Sequence, residues 1–202
     1  KHKGINVFIV EKDTPGFVIG KKENKMGIRA SDTHSLMITD VKVPKTNRIG
    51  EDGFGFKFAM QTLNGGRIGI AAQALGIASG AYERALAYSH ERKSFGTEIF
   101  NHQIIQFKLA DMATKIDAAR LLILKAAYLK DQHKDYTEAA AMAKLFASQV
   151  AMDVTIEAVQ IHGGYGFVKE FHVERMMRDE KITQIYEGTS EIQKMVIGRE
   201  LF

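Results

Sequence analysis

The sequence predicts a mostly α protein in which the end of a β segment leads into an antiparallel four-helix bundle. Three observations carry that reading. Both prolines, Pro15 and Pro44, lie in the first fifty residues, among short runs rich in Ile, Val and Phe. After "RIGEDGFGF" proline disappears and the hydrophobic period becomes helical. Three apolar stripes then follow, and each must be buried against the others.

The elements are expected in this order. "INVFIVEK" is apolar on both faces, as a buried strand would be, and "DTPGF" is a turn set by Pro15 and Gly16. "HSLMITDVKVP" holds a second strand, closed by Pro44. Two or three strands need more sheet or a helix layer to bury both faces, so the sequence reads as beginning partway through a domain. The first helix carries Ile70, Ala74, Ile77, Ala81, Ala85 and Tyr88 at steps of three and four. Ile105, Leu109, Met112, Ile116, Ala119 and Ile123 mark the second, close to a heptad seam. Met142, Phe146, Val150, Val154, Ala158 and Ile161 mark the third. A fourth should begin near Ser190, where Ser190 and Gln193 have capping-box spacing. The division falls between residues 1–52 and 53–202.

Composition removes several function classes. The 202 residues are 45% hydrophobic and 26% charged, as in an ordinary globular protein large enough for one large domain or two small ones. Cysteine is absent, which rules out disulfides, thiolate metal sites and a cysteine nucleophile. The net charge of +4 comes from dispersed basic residues without a basic stripe, so nucleic acid is not an expected partner. "RLLILKAAYL" is too short to span a bilayer, and "KHKGINVFIVEK" lacks the small-residue cleavage site of a signal peptide. His90, His102, His162 and His172 lack metal-ligand spacing, and no Gly-x-Ser-x-Gly elbow occurs. No metal is expected.

Four stretches could carry chemistry. "QIHGGYGF" (160–167) follows a helix, so Gly163 or Gly164 could supply a left-handed cap. The same glycines bare backbone N–H groups that can approach a phosphate. In "ERKSFG" (91–96), Arg92 could be a cationic helix end, or a fixed fork for a phosphate oxygen with Phe95 as an apolar wall. "LNGGRIG" (63–69) places helix-weakening glycines beside Arg67, which implies close packing or close approach of a ligand. Glu187, in "TQIYEGTSEIQ", is either an acid favoured near a helix N-terminus or a working base.

Together these stretches resemble the flavin-dependent acyl-CoA dehydrogenases, with the flavour of the short-chain, butyryl-type members. The resemblance rests on "QIHGGYGFVKEFHVERMMRDEKITQIYEGTSEIQ", where Gln160, Gly163, Gly164, Gly166, Glu170, Arg175 and Asp179 match the family pattern. "KMGIRASDTHSLMITDVKVP", "LNGGRIGIAAQALG" and "ERKSFGTEIFNHQ" match in the right order. It implies the end of a middle β-barrel-like domain followed by the family's C-terminal helical bundle. It also implies a longer parent, with an N-terminal helical domain and more of the β domain.

What the resemblance implies for function is specific. Glu187 would abstract the α-proton of a short acyl-CoA while FAD takes the β-hydride. Gly66 stands where other members place their base, leaving Glu187 as the candidate. Arg92, Ser94, Phe95, Gln103, Gln160, Gly163, Gly164, Thr189 and Glu191 would contact FAD, partly across a subunit interface. Asn64, Arg67, Tyr186 and Gly188 would contact the acyl-CoA, with Asn64 standing where short-chain relatives often carry Asp. Electrons would pass to an electron-transfer flavoprotein, and the bundle would assemble a homotetramer, a dimer of dimers, without inserting in a membrane. The expected location is bacterial cytoplasm or mitochondrial matrix. Two rivals are an oxidase passing electrons to oxygen and a non-catalytic oligomerisation module.

Overall fold

The computed structural model describes residues 2–201, which form two compact units divided between Leu63 and Asn64. In the first unit, β1 (Phe17–Lys22) and β2 (His34–Ile38) make an antiparallel hairpin. The register runs Phe17 to Ile38, Val18 to Met37 and Ile19 to Leu36, then slips before Lys22 meets His34. The tight turn before β1 holds Gly16 at φ +87°, and the Thr39 N–H donates to its carbonyl at 3.0 Å. A side chain at Gly16 would collide with the Thr39 carbonyl, so glycine is required twice over. Pro44 opens a short 3-10 turn, Lys45–Asn47, several residues after β2 has ended.

The strand expected at "INVFIVEK" is corrected. The segment forms no strand: it pairs through a bridge between Phe8 and Arg48, with the Ile9 N–H donating to Asn47 and the Val7 and Ile5 carbonyls accepting from Ile49 and Gly55. Ile5, Phe8, Ile9 and Val10 stay exposed, as do Val18, Ile19, Leu36, Met37 and Ile38 of the hairpin. A two-stranded hairpin is one layer, and no second layer among the described residues covers these apolar side chains.

The rest is helical. α1 spans Gly55–Glu91, α2 Gln103–Asp131, α3 Thr137–His162, α4 Val173–Glu180 and α5 Ser190–Glu200. A two-residue hairpin, β3 (Lys93–Ser94) with β4 (Thr97–Glu98), separates α1 from α2. Its turn has Phe95 at φ +51° and Gly96 at φ +82°, the primed geometry whose twist suits a tight hairpin.

The core of the helical unit joins small residues of α1 to larger ones of α2 and α3. Ala71, Ala74, Ala78, Ala81 and Ala85 are buried on α1, one position from part of the expected stripe. They meet Leu109, Met112, Ile116 and Ile123 of α2 and Val150, Val154, Ala158 and Ile161 of α3 in one cluster. Alanine in that stripe lets backbones approach, and the α2 side chains supply the apolar volume. Ion pairs Lys108–Glu157 and Lys115–Asp153 tie the exposed edges of α2 and α3. By length and composition, the segment Thr137–Phe167 could cross a membrane. Its buried face packs against other elements of this unit, as a core helix does.

α4 was not among the expected helices. Its eight residues, "VERMMRDE", bury only Val173 and Glu180, too short a stripe to read as periodicity. The fourth expected helix does begin at Ser190, but its cap is Thr189, whose Oγ1 accepts from the Ile192 N–H at 3.4 Å. Gln193 is drawn inward, away from a capping-box partner.

Candidate active site

The turn that presents Glu187 has an unusual backbone. Glu187 lies at φ +53° and Gly188 at φ +88°, so two successive residues occupy the left-handed region that disfavours a side chain. Buried side chains from two helices hold them there. Lys144 of α3, fully buried, donates from Nζ to the Gly188 carbonyl at 2.7 Å. Gln193 of α5, also fully buried, donates from Nε2 to the Gly188 carbonyl at 2.8 Å and the Glu187 carbonyl at 3.1 Å. A side chain at Gly188 would meet that amide at 2.7 Å. With both carbonyls engaged, the N–H groups of Glu187, Gly188 and Thr189 donate to no acceptor among the described residues.

The Glu187 carboxylate lies against α1 at Gly66. A Cβ built on Gly66 would stand 2.5 Å from Oε2 and 3.0 Å from the carboxyl carbon. The glycine in mid-helix is thus explained by close approach of the carboxylate, which fills the room a side chain would need. Next to it, Arg67 is buried, donates from Nη1 to Asn64 Oδ1 at 2.7 Å, and leaves Nε unpartnered. Asn64 in turn donates to Thr137 Oγ1 at 3.0 Å, so the pair is braced onto α3. Tyr186 points its hydroxyl to Gln73 Oε1 at 2.6 Å.

Burial dominates the electrostatics here. It lowers the Lys144 ammonium to about 8, helped by repulsion from Arg67 and opposed by Glu187, Glu180 and Glu191. It also depresses the Arg67 guanidinium, with Glu187 pulling the other way. Glu180, fully buried at the end of α4, is pushed up to about 8 by desolvation, against its hydrogen bond from Thr183 and the field of Lys144. Burial thus opposes charge on both groups, pulling the Lys144 ammonium down and the Glu180 carboxyl up.

A second group of expected residues lies around an open cleft of about 470 Å³, lined by Tyr88, Arg92, Ser94, His162, Gly163 and Gly164 among others. His162 forms its floor, stacked on Tyr88 at 4.3 Å, with Nδ1 2.7 Å from the Ala158 carbonyl. Burial lowers the His162 pKa, against the hydrogen bond to Ala158. Gly163 ends α3 at φ +59° and ψ −134°, so it turns the chain without adopting the left-handed helical cap. Gly164 has neither positive φ nor any atom within 4 Å of a Cβ placed there. No packing or conformational demand among the described residues accounts for its missing side chain, and a Cβ there would meet open space.

The expected residues thus fall into two sets. Asn64, Arg67 and Tyr186 lie about the turn formed by Glu187, Gly188 and Thr189, with Glu191 exposed on the first turn of α5. Arg92, Ser94, Gly163 and Gly164 share the cleft. Phe95, Gln103 and Gln160 are exposed and do not line it. Phe95 is 98% exposed on a left-handed backbone, a costly way to hold an aromatic ring in water without a ligand or partner to cover it. Lys144, Gln193 as a carbonyl clamp, and Glu180 were not anticipated. The signal for Lys144 is legible afterwards, since it falls with Ala140, Ala147 and Ala151 on one buried helical face.

The sequence model described as the acyl-CoA dehydrogenase C-terminal domain matches residues 53–202. The chain belongs to the acyl-CoA dehydrogenase family. It is 58% identical over 200 residues to the short-chain specific acyl-CoA dehydrogenase of Clostridium acetobutylicum, covering 99% of this chain and 53% of that protein. It superposes on butyryl-CoA dehydrogenase from Megasphaera elsdenii with a TM-score of 0.97 at 58% identity, covering 99% of this chain and 52% of that one. A structure described as the electron transferring flavoprotein of Acidaminococcus fermentans, in work on flavin-based electron bifurcation, gives 0.98 at 57% identity. The match covers 100% of this chain and 53% of that one. The chain spans about half the length of these relatives.

Proposed function

We propose that this chain is the C-terminal part of a flavoprotein that dehydrogenates a short acyl-CoA thioester between Cα and Cβ, with Glu187 as the base. The observation that carries this reading is the Glu187 carboxylate seated against Gly66, on a backbone turn whose carbonyls are clamped and whose N–H groups have no acceptor among the described residues. A base must be held within reach of the proton it removes, and the charge that develops must meet donors already in place. The free Glu187 N–H is such a donor for a thioester oxygen, whose electron density rises as the α-proton leaves. Lys144 and Arg67 place positive charge near Glu187. Tyr186, tied to Gln73, and Arg67, tied to Asn64, border the same region as walls for the acyl thioester.

The cleft fits a phosphate-bearing flavin: Arg92 offers a guanidinium, Ser94 a hydroxyl, and Gly164 bare backbone. FAD, when bound, would supply the acceptor for the β-hydride. Phe95, Gln103 and Gln160 would reach FAD of another subunit, in a homotetramer built on an antiparallel four-helix bundle formed by residues 53–202. Thr189 and Glu191 would contact the cofactor from the start of α5. The likeness to the Acidaminococcus fermentans structure supports an electron-transfer flavoprotein as the redox partner.

The test is an anaerobic titration of the full-length enzyme that contains this chain with butyryl-CoA. Stoichiometric bleaching of the flavin band, relieved by an electron-transfer flavoprotein, is the expected result. An enzyme that holds flavin but is not reduced by any short acyl-CoA overturns the proposal. Rapid reoxidation by air alone would move the assignment to the oxidase reading.

A further inference from the structure

We infer that Lys144 is a positioning residue for the base, acting through the Gly188 carbonyl. This rests on the function proposed for Glu187. The geometry is unusual for a lysine. Its side chain runs through the core of the helical unit, from a face shared with Ala140, Ala147 and Ala151, and no part of it reaches solvent. Lysine is almost never buried unless paired, yet among the described residues no carboxylate lies within ion-pair distance of Lys144. Its hydrogen bond goes to a backbone carbonyl, the one that follows the base. The groups that face it are Arg67 of α1, Glu180 at the end of α4, Glu187 of the turn and Glu191 of α5.

Fold stability alone is a poor explanation for this arrangement. Replacing a buried charge with an apolar side chain of similar volume is often neutral or stabilising, and methionine would pack in the same space. What methionine could not do is hold the Gly188 carbonyl. That carbonyl belongs to the peptide joining Gly188 to Thr189, which follows the two left-handed residues Glu187 and Gly188. Gln193 holds the same oxygen from the opposite element, so the two donors fix the plane of that peptide. A charged donor on the oxygen also polarises the amide and strengthens the Thr189 N–H as a donor, and that N–H has no acceptor among the described residues. Lys144 thereby ties the direction of the Glu187 side chain to the rigid body of α3.

The test compares wild type with Lys144→Met and Lys144→Gln in the full-length flavoenzyme. Three readouts are taken: flavin reduction by butyryl-CoA, KM, and amide hydrogen exchange of residues 186–189. Lys144→Met is expected to keep its flavin spectrum and thermal midpoint. It should lose about 10²-fold in kcat, the scale set by misplacing a reacting group by about 1 Å, with KM changed less than about threefold. Exchange in the 186–189 segment should rise at least about tenfold while α2 and α3 stay unchanged. Lys144→Gln, which keeps a shorter neutral donor, should recover part of both effects.

A folded Lys144→Met enzyme with wild-type kcat and wild-type exchange overturns the inference. If that variant does not fold, the same two readouts on Lys144→Gln decide, and wild-type values for both again overturn it. Wild type unreduced by any acyl-CoA refutes the proposed function instead, and the exchange comparison then judges the clamp by itself.

Discussion

Around Glu187, buried polar side chains from α1, α3 and α5 converge on one backbone turn. Lys144 and Gln193 clamp its carbonyls, and Arg67 flanks the carboxylate that fills the space left by Gly66. Around Gly163, in the same helical unit, the polar groups face outward into an open cleft. Phe95, next to Ser94 in sequence, and Phe167, at the end of the 3-10 turn that begins at Gly163, are 98% and 86% exposed. The first region is finished before any ligand arrives, and the second presents groups that a ligand or another subunit must complete. The contrast suits the tasks proposed for them. A base needs fixed geometry and a controlled field, whereas a cofactor cleft gains its order from what it binds.

That contrast can be broken from either side. Gly66→Ala puts a methyl group 2.5 Å from Oε2 of Glu187, and the carboxylate, the far end of a flexible side chain, must move. The variant should lose about 10²-fold in kcat. It should nonetheless be as stable as wild type or up to about 1 kcal/mol more stable, because alanine replaces glycine in a helix. Stopped-flow reduction and thermal unfolding of the same preparation would check both halves. On the cleft side, Arg92→Ala should leave the unfolding midpoint of the apo enzyme unchanged. Flavin affinity should fall by about tenfold to a hundredfold, the loss expected for a charge-assisted hydrogen bond to phosphate. Fluorescence titration with FAD measures that directly.

The smallest effect concerns Glu180 and pH. In the unfolded chain its carboxyl ionises near its ordinary value of 4.5, whereas burial raises it to about 8 in the folded protein. Between those values the unfolded state has released a proton that the folded state keeps, so stability falls as pH rises through the window. Glu180→Gln removes that penalty and keeps an acceptor for Thr183. Its thermal midpoint should exceed that of wild type by a few degrees at pH 7.5, with the gap closing toward pH 4.5. The Lys144 ammonium, lowered to about 8 from 10.5, acts in the window above, where stability rises with pH. A gap that is constant from pH 4.5 to 7.5 would mean that Glu180 is ionised in the fold.

The helical part was legible because its signals are local and repeated. The α2 stripe from Leu109 to Ile123 is buried as its spacing requires, and Gly66 announced a close approach that the carboxylate explains. The misses share a physical cause. Lys144 looks like one charge in an alanine-rich helix, and its role is set by a carbonyl 44 residues away. The cap of α5 falls on Thr189 because Gln193 is drawn inward to the base turn, a tertiary demand that outweighs capping-box spacing. "INVFIVEK" has strand composition, yet composition cannot say which layer will cover it, and among the described residues none does. Glu187 reads as the proposed base only when "IYEGTSEIQ" is taken with Gly66 and the Gly-rich cleft.

The most direct test of the account is anaerobic reduction of Glu187→Gln by butyryl-CoA in the full-length enzyme. Glutamine preserves the shape that sits against Gly66 and removes the proton acceptor. The account predicts normal flavin content and ligand binding, with flavin reduction slowed by about 10³-fold to 10⁴-fold. Bleaching at the wild-type rate would show that another group takes the α-proton, and the clamped turn would then need a different explanation.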